Sequence, residues 1–362
     1  MRDTIPFEEG QERNALLLGF AATQQNPAAQ VRETLMPVRP DRIDNPQAIV
    51  MVDAAADITR SMLKHPRMRV LPLEIELSSK SSLTDKGNRQ KPSTFRELTP
   101  EQLRYTNVVA PSPSEVEYRL YPNIAVNADW ILYIGSSSVF LDAFESIRVM
   151  LEVHDSEIRE MRRERDLDES LKLVYIDSAS ILTGPALLAR QVMHLLDRKE
   201  PTNMAASIAH RLVPKVSHWM VPRIPADFRD RLERLGRARV RPWISGISEG
   251  LSTFSMRRYP ILSSHGETLQ CEGRETTWRK AFNTMLAKAE EALQSEVGGR
   301  VARMQFSIDG SITEAKTWPE FDRFSKLAEE AGVSLHLTHM SLAGKTLATA
   351  GSASLALVRE TD

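Results

Sequence analysis

Three consecutive serines stand where the sequence changes its hydrophobic period, and they are the residues best placed to do chemistry. The segment Trp130–Gly135 is mostly apolar, and after Ser136, Ser137 and Ser138 the apolar positions recur three or four residues apart. This change predicts a strand, a turn and a helix in succession. Because a helix N-terminus favours negative charge, we expect the turn to bind an anion. A single serine that caps the helix explains the motif equally well.

A serine hydrolase is the alternative chemistry for the same turn. A nucleophile elbow reads Gly-x-Ser-x-Gly, whereas Gly135 is followed by three serines and then by Val139 where the second glycine belongs. The mismatch weakens the hypothesis without excluding it, because a catalytic triad is defined by geometry rather than by sequence order. Ser137 and Ser138 are the candidate nucleophiles of this alternative.

Two further motifs suggest a nucleotide or a metal but do not fit either. Gly344, Lys345 and Thr346 resemble the end of a phosphate-binding loop, but His339 occupies the position of that loop's first glycine. His336 and His339 have the spacing of metal ligands on a helix, whereas the alternating pattern around them predicts a strand with the two rings on opposite faces. We therefore expect no nucleotide site, no metal and no cofactor.

The composition excludes several classes of protein. The chain has 362 residues, of which 41% are hydrophobic, and this suits globular domains with buried cores. Its 47 basic and 48 acidic side chains give a net charge of -1, which argues against a nucleic-acid partner. The only cysteine, Cys271, cannot form an intrachain disulfide and favours a reducing compartment.

The N-terminus lacks the features of a targeting segment. It carries acidic residues where a signal peptide is basic, and its apolar run at 15–22 is too short to span a bilayer. We expect a cytoplasmic protein without stable membrane insertion. Residues 1–47 contain several prolines and little helical periodicity, which indicates an extension of the folded part.

The elements that position the serines alternate between strands and helices. Apolar segments that predict strands lie at 48–52, 68–77, 130–135 and 171–176. Helical patterns separate them, and this alternation is typical of a parallel sheet in an α/β protein. The polar stretch 78–93 is predicted to be a surface loop. Capping boxes predict helix starts at Thr99 and Ser112.

The second half also mixes strands and helices, and we place a second domain from about residue 186. The predicted helices lie near 184–197, 201–213, 225–235, 275–295 and 317–331, and the predicted strands near 216–221, 257–263, 300–307, 333–340 and 353–359. Residues 190–241 contain 12 basic against 5 acidic side chains, which predicts a basic face.

Four strand ends carry polar motifs in a fixed order. They are VDAAAD (52–57), VLPLEIE (70–76), GSSSVFLDAFESI (135–147) and YIDSASILTGPALLA (175–189). This order resembles the DegV family of bacterial fatty-acid-binding proteins. Three later segments, LERLGRARV, YPILSSHGE and TAGSASLAL, are similar to further motifs of the family. The resemblance extends over roughly residues 48–358 and depends on the order and spacing of the motifs.

The resemblance implies roles for individual residues. The implied ligand-binding residues are Ser112, Ser137, Ser138, Arg237 and Thr349, and the implied motif positions are Asp53, Asp57, Asp177 and Ser178. Val108 stands where the family has a threonine that binds the carboxylate of the fatty acid. Leu141, Asp142 and Ala143 replace the family's Ser-Gly-Thr.

What the resemblance implies is a two-domain α/β fold, with a parallel-sheet domain at 48–185 and a mixed-sheet domain at 186–362. Such a protein holds a long-chain fatty acid or another lipid and presents it to a kinase, and the kinase carries the chemistry. The basic face at 190–241 would dock this kinase or an acidic membrane surface.

The replaced headgroup residues do not exclude lipid binding. Burial of an acyl chain gains about 0.8 kcal/mol per methylene, whereas a lost threonine hydroxyl costs only about 0.5–1.5 kcal/mol. A different headgroup or a neutral lipid therefore becomes an option. The alternatives are a serine hydrolase that acts on a lipid or ester, and a regulatory module of the same fold that binds no lipid.

Overall fold

A four-stranded parallel sheet is built from the first part of the chain. Its strands are β1 (Ala48–Asp53), β2 (Met68–Leu71), β6 (Trp130–Gly135) and β7 (Lys172–Asp177), in the order β2-β1-β6-β7. All three pairings are parallel, as the alternating sequence pattern predicts. The computed structural model describes residues 48–78, 81–87, 99, 104–234, 258–265, 268–295 and 299–360.

A six-stranded mixed sheet is built from the second part. Its strands are β8 (Val216–Val221), β9 (Tyr259–His265), β10 (Thr268–Glu275), β11 (Val301–Ile308), β12 (Ser334–His339) and β13 (Ala353–Arg359), in the order β10-β9-β8-β13-β11-β12. Only the β11 and β12 pair is parallel. The predicted strands are confirmed within about two residues, and β10 is an addition that the sequence did not indicate.

A small antiparallel sheet corrects two sequence predictions. Its strands are β3 (Leu73–Ser78), β4 (Ser81–Asp85) and β5 (Asn107–Val109), in the order β4-β3-β5. The predicted strand at 68–77 is two strands in different sheets, because Pro72 has no N–H to donate to a ladder. The predicted surface loop at 78–93 contains β4, whose pairing with β3 places Leu83 opposite Ile75.

Helices cover both faces of the large sheets. In the described residues they are α1 (Arg60–Leu63), α2 (Pro113–Leu120), α3 (Phe144–Val153), α4 (Asp155–Arg163), α5 (Thr183–Asp197), α6 (Thr202–Leu212), α7 (Pro225–Arg234), α8 (Trp278–Gln294), α9 (Ile312–Lys316), α10 (Pro319–Glu330) and α11 (Leu342–Ala348). The five helices predicted for the second half are confirmed as α5, α6, α7, α8 and α10. None of the described helices is long and apolar enough to cross a bilayer.

Helix α5 lies between the two large sheets. It packs on β1 and β6 of the parallel sheet and on β8, β11 and β13 of the mixed sheet. Its apolar face includes Leu187, Leu188 and Val192, which share one buried cluster with Val52 and Ala356. Because one helix serves both sheets, its side chains contact residues that are far apart in sequence.

A second buried cluster, called the joint core, includes residues from all three sheets. Members on the strands are Met51, Leu71, Ile75, Tyr133, Met220, Leu262 and Leu269, and members on the helices include Phe228, Leu342, Leu347 and Ala348. The joint core lies on the opposite face of β1 from α5, because successive strand residues point to opposite faces. It is therefore an apolar region that continues from one large sheet to the other.

Candidate functional site

The carboxylate of Asp53, at the end of β1, organises the first serine of the turn. It accepts hydrogen bonds from the backbone N–H of Ser136 at 2.6 Å and from the hydroxyl of Ser136 at 2.9 Å. It also accepts from the N–H of Ala55 at 3.0 Å. Asp53 is 0% exposed. Burial raises its pKa, while the hydrogen bonds from Ser136 and Ala55 lower it.

The other two serines are held by the last residue of β7 and by the segment that follows it. The N–H of Ser138 donates to the carboxylate of Asp177 at 3.1 Å, and the N–H of Ser137 donates to the carbonyl of Ser180 at 2.7 Å. Asp177 also accepts from the N–H of Ala179 at 2.8 Å. The structure thus brings together four residues that the sequence singled out, which are Asp53, Ser137, Ser138 and Asp177, and Ser178 joins them through the carbonyl of Gly135.

These bonds bear on the prediction that the turn formed by Ser136, Ser137 and Ser138 binds an anion. The N–H groups of Ser136 and Ser138 donate to carboxylates of the protein itself, and the N–H of Ser137 donates to a carbonyl. The predicted helix N-terminus at this turn is wrong, since α3 begins only at Phe144. An external anion therefore cannot be bound by these N–H groups, and a ligand at the turn would have to bind through a side-chain hydroxyl.

The hydroxyl of Ser137 is the best candidate for binding a ligand at the turn. Ser137 is 2% exposed, and its hydroxyl has no hydrogen-bond partner among the residues that the structure describes. Phe140 and Leu141, which follow directly in the chain, belong to the joint core, as does Ala143. Two of the replaced headgroup positions thus add apolar side chains to the joint core, while Asp142 is exposed.

A stack of aromatic rings lies below the serine turn. Phe144 stacks on Tyr175 with ring centroids 4.3 Å apart, and Tyr175 stacks on Tyr133 at 5.7 Å. A side chain at Gly135 would put its Cβ 3.2 Å from both tyrosine rings, so the glycine keeps the strand close to the stack. Burial, Asp177 and Asp142 raise the pKa of Tyr175, and the charges that act on it are acidic. The surroundings of the turn are therefore electrostatically unfavourable for a carboxylate ligand.

Asp57 connects this region to the second part of the chain. Its carboxylate accepts from the hydroxyl of Ser307 at 2.6 Å and from the N–H of Ser341 at 2.8 Å. Burial, with a smaller contribution from the negative charge of Asp85, raises its pKa to about 7. Asp85 accepts from the N–H of Ala343 at 2.6 Å, and burial raises its pKa to about 7 as well.

Ser112 and Thr349 have structural partners away from the serine turn. Ser112 is exposed and caps α2 by accepting from the N–H of Glu115 at 3.3 Å, as the capping box predicts. The hydroxyl of Thr349 accepts from the N–H of Ile224 at 3.2 Å, and Thr349 has a positive φ of 82°. No contact in the described residues links either side chain to Ser137, and their role in ligand binding stays a prediction.

Among the described residues, part of the predicted basic face is buried. Arg231 is 5% exposed, and burial lowers its pKa to about 10. Arg190 is half-buried. Arg237 and Arg239 lie outside the described residues, as do residues 1–47 and the helix start after Thr99. The excess of basic residues at 190–241 therefore includes side chains that a docking partner cannot reach.

Several charged residues were missed because nothing in the sequence marks them as buried. Asp85 stands in a polar stretch, and Lys345 is inside the rejected phosphate-loop motif, yet both are buried. Gly344, Lys345 and Thr346 lie within α11, and the absence of a nucleotide site stays a prediction. His336 and His339 lie on strand β12, as predicted.

Comparison with known proteins places this geometry in a family. The family model described as "Uncharacterised protein, DegV family" matches residues 47–318. No curated protein matches the chain.

Solved structures share the fold at low sequence identity. A DegV family protein from Ruminococcus gnavus, whose structure includes vaccenic acid, is 14% identical with a TM-score of 0.64, and the match covers 86% of this chain and 100% of that one. A stearic-acid-binding protein from Eubacterium ventriosum is 13% identical with a TM-score of 0.65, covering 86% and 97%. The fatty acid kinase (Fak) B3 protein of Streptococcus pneumoniae, loaded with linoleic acid, is 14% identical with a TM-score of 0.62, covering 86% and 99%. Because the family model spans more than half of its length, this chain belongs to the DegV family.

Proposed function

We propose that this protein binds a long-chain fatty acid or a related lipid, with the acyl chain in the joint core and the polar end at the serine turn. The observation that supports this most strongly is the continuity of the joint core across all three sheets. The related structures contain vaccenic, stearic and linoleic acids, and these agree with a long-chain apolar ligand. Burial of such a chain gains about 0.8 kcal/mol per methylene.

The serine turn has the features expected at the mouth of an acyl site. It follows the carboxyl end of β6, and ligands of open α/β sheets bind at this edge. The Ser137 hydroxyl is available for a polar headgroup, and the neighbouring Phe140 and Leu141 belong to the joint core. The acidic surroundings favour a headgroup that is neutral or that carries its proton over an ionised carboxylate.

In this proposal the protein carries its ligand and performs no chemistry on it. The related Fak B3 protein belongs to a fatty acid kinase, so a kinase partner that acts on the bound lipid is the proposed destination of the ligand. The unpaired Ser137 hydroxyl supports a binding role over a nucleophilic one, since a nucleophilic serine needs an adjacent base. We further propose the division into domains at 48–185 and 186–362 and a cytoplasmic location.

Mass spectrometry of an organic extract of the purified protein tests the proposal directly. We expect a lipid with a long acyl chain in near-stoichiometric amount, and its headgroup will distinguish a fatty acid from a neutral lipid. Protein that is stripped of lipid should take up a fluorescent acyl probe again. A lipid-free extract together with no uptake of the probe would refute lipid binding.

A pair of matched substitutions locates the acyl chain. Ala348 belongs to the joint core, and Ala289 belongs to the core of α8 on the far side of the mixed sheet. Phenylalanine at either position overpacks a buried helix residue at a cost of about 1–3 kcal/mol. We expect Ala348→Phe to lose bound lipid and Ala289→Phe to retain it. Equal lipid content in the two folded variants would place the ligand elsewhere.

A further inference from the structure

A group of basic side chains gathers where α5 packs on β11 of the mixed sheet. Arg303 and Gln305 point to the same face of β11, because they are two residues apart on a strand. His336 is the neighbour of Gln305 in the register of β12, which is the edge strand of the sheet. From α5, Gln191 accepts a hydrogen bond from Arg303, and Arg190 donates to the hydroxyl of Thr59 at 2.7 Å.

The two arginines have neutral partners only. In the described residues neither Arg190 nor Arg303 forms an ion pair, since their hydrogen bonds go to a hydroxyl and to an amide oxygen. The Nε of Arg190 is buried without a hydrogen-bond partner. Both side chains are half-buried. Because a charge that is withdrawn from water is normally paired, this arrangement lacks a counter-anion.

The electrostatics of the group agree with its geometry. Burial and the positive charges of Arg190 and Arg303 together lower the pKa of His336 to about 4. Burial and the charge of Arg303 lower the pKa of Arg190 to about 10. His194 on the same helix is also affected by Arg303.

The acidic groups of the neighbourhood do not neutralise the pair. Glu360 raises the pKa of Arg303, and Asp197 raises that of His194, but neither carboxylate is within ion-pair distance of the two arginines. Asp57 approaches through its backbone, whose carbonyl accepts from the Gln305 amide, while its carboxylate accepts from Ser307 and Ser341.

We propose that Arg190, Arg303 and His336 form a binding site for a phosphate group. Guanidinium groups match the oxygens of a phosphate in geometry and charge, and a histidine beside a bound dianion can add a further donor. Free phosphate, a soluble phosphate ester and the phosphate of a lipid headgroup share this chemistry. The serine turn is bonded to Ser180, which precedes α5. Arg190 lies seven residues after the first residue of α5, about 10 Å along the helix, so the phosphate site is distinct from the serine turn.

Titration calorimetry with inorganic phosphate at constant pH and ionic strength tests the site. We expect saturable binding by the native chain and a loss of about tenfold or more in Arg190→Gln and in Arg303→Gln, because each removes a charged hydrogen-bond donor. Arg300→Gln is the matched control, since this exposed arginine lies next to the start of β11 and should leave binding unchanged. No saturable binding by the native chain, or an equal loss in the control, overturns the proposal.

A second measurement follows binding in the native chain, so that its result does not depend on how the arginine variants fold. Proton NMR follows the titration of the His336 ring, which is assigned by comparison with His336→Asn. Bound phosphate should raise the pKa of His336 by about one pH unit or more, because an anion at short distance stabilises the imidazolium ion. An unchanged pKa at saturating phosphate overturns the proposal.

The source of the phosphate group is distinguished by competition. Displacement of inorganic phosphate by glycerol 3-phosphate supports a soluble ester. Displacement by phosphatidic acid vesicles, but not by phosphatidylcholine vesicles, supports a lipid headgroup. The absence of displacement by every phosphate compound overturns the assignment of the site to this class of ligand. None of these outcomes depends on the acyl chain proposed for the joint core.

Discussion

Asp57 and Asp85 hold the same end of one helix. Asp57 accepts from the N–H of Ser341, the N-cap of α11, and Asp85 accepts from the N–H of Ala343 in its first turn. Asp57 follows β1, and Asp85 ends β4, so both carboxylates belong to the first part of the chain and the helix belongs to the second. Two buried acids thus attach α11 to strands that precede it by more than 200 residues.

This pair predicts a pH-dependent stability. Burial raises the pKa of both carboxyls from an ordinary 3.8 to about 7, so between these values the folded chain retains protons that the unfolded chain has released. The free energy of unfolding should therefore fall as the pH rises from about 4 to about 7. Asp57→Asn and Asp85→Asn remove a titrating group each and should flatten this decrease in thermal melts.

Asp155→Asn is the control for this experiment. Asp155 is exposed on α4 and pairs with Arg159 at 2.8 Å, so its substitution removes a carboxylate without touching α11. We expect the control to melt with the same dependence on pH as the native chain. A native chain whose melting temperature is constant between about pH 4 and pH 7 would contradict the raised pKa values of the pair.

The sequence predicted Asp57 as a motif position but not Asp85, and the reason is physical. Asp57 follows an apolar strand and matches a family motif, whereas Asp85 lies in a polar stretch that contains a single leucine. Its burial depends on the pairing of β4 with β3 and on the approach of α11, and both involve residues distant in sequence. Local periodicity carries no information about such contacts.

Loss of the Asp53 carboxylate should destabilise the serine turn more than loss of the Ser136 hydroxyl. Asp53→Ala leaves the N–H of Ser136, its hydroxyl and the N–H of Ala55 without their acceptor in a buried site. We expect a loss of about 2–4 kcal/mol in the free energy of unfolding, because unpaired buried donors are costly. Ser136→Ala removes one of the donors and should cost about 1 kcal/mol. Urea denaturation measures both, and equal losses would show that Asp53 does not organise the turn.

The serine turn shows how far periodicity can predict a site. Strand β6 was predicted at its observed bounds, and the serines do follow it as a turn. The predicted start of the next helix was wrong because Ser137 and Ser138 donate their N–H groups to Ser180 and to Asp177 at the end of β7, and these bonds hold the two serines out of a helix. Phe140 and Ala143 have the spacing of a helix face, but both lie in the irregular segment before α3 and are buried in the joint core.

The direction in which Gly184→Ala changes the free energy of unfolding tests how closely α5 approaches Ser180. An alanine Cβ at this position would lie 1.9 Å from the Oγ and 2.7 Å from the Cβ of Ser180. Alanine inside a helix is ordinarily more stable than glycine by about 1 kcal/mol. Here we expect Gly184→Ala to lower the free energy of unfolding by about 1–3 kcal/mol, because the clash must be relieved.

The double variant Gly184→Ala with Ser180→Gly provides the control for the clash, because it removes both atoms that the new methyl group would meet. It should recover most of the stability that is lost in Gly184→Ala. Differential scanning calorimetry of the single and double variants measures the recovery. A single variant that is more stable than the native chain would rule out the close approach of α5 to Ser180.

The serine hydrolase hypothesis yields a prediction of its own. Because the Ser137 hydroxyl has no hydrogen-bonded base among the described residues, we expect a fluorophosphonate probe to leave the native protein unlabelled. The labelling is read by intact-protein mass spectrometry, with Ser137→Ala as the reference. A stoichiometric adduct on the native chain that is missing from the variant would establish the enzyme in place of the carrier.

The substitution Val108→Thr is expected to raise the affinity for a fatty acid. It lies on β5 opposite Ile75 and packs against the joint core, at the position where the family resemblance implies a threonine that binds the carboxylate. Val108→Thr restores a hydroxyl, and one net hydrogen bond of about 0.5–1.5 kcal/mol corresponds to a gain of about twofold to tenfold in affinity for a fatty acid.

Val109→Thr is the matched control for this change, because neighbouring strand residues point to opposite faces. It adds the same hydroxyl one residue along, opposite Glu74 in the register, and should leave the affinity unchanged. Fatty acid displacement of a fluorescent acyl probe measures both variants. Since a methyl ester has neither the O–H donor of the acid nor the charge of its carboxylate, the gain in Val108→Thr should shrink for the ester. A gain that is equal for acid and ester would mean that the new hydroxyl does not reach the headgroup.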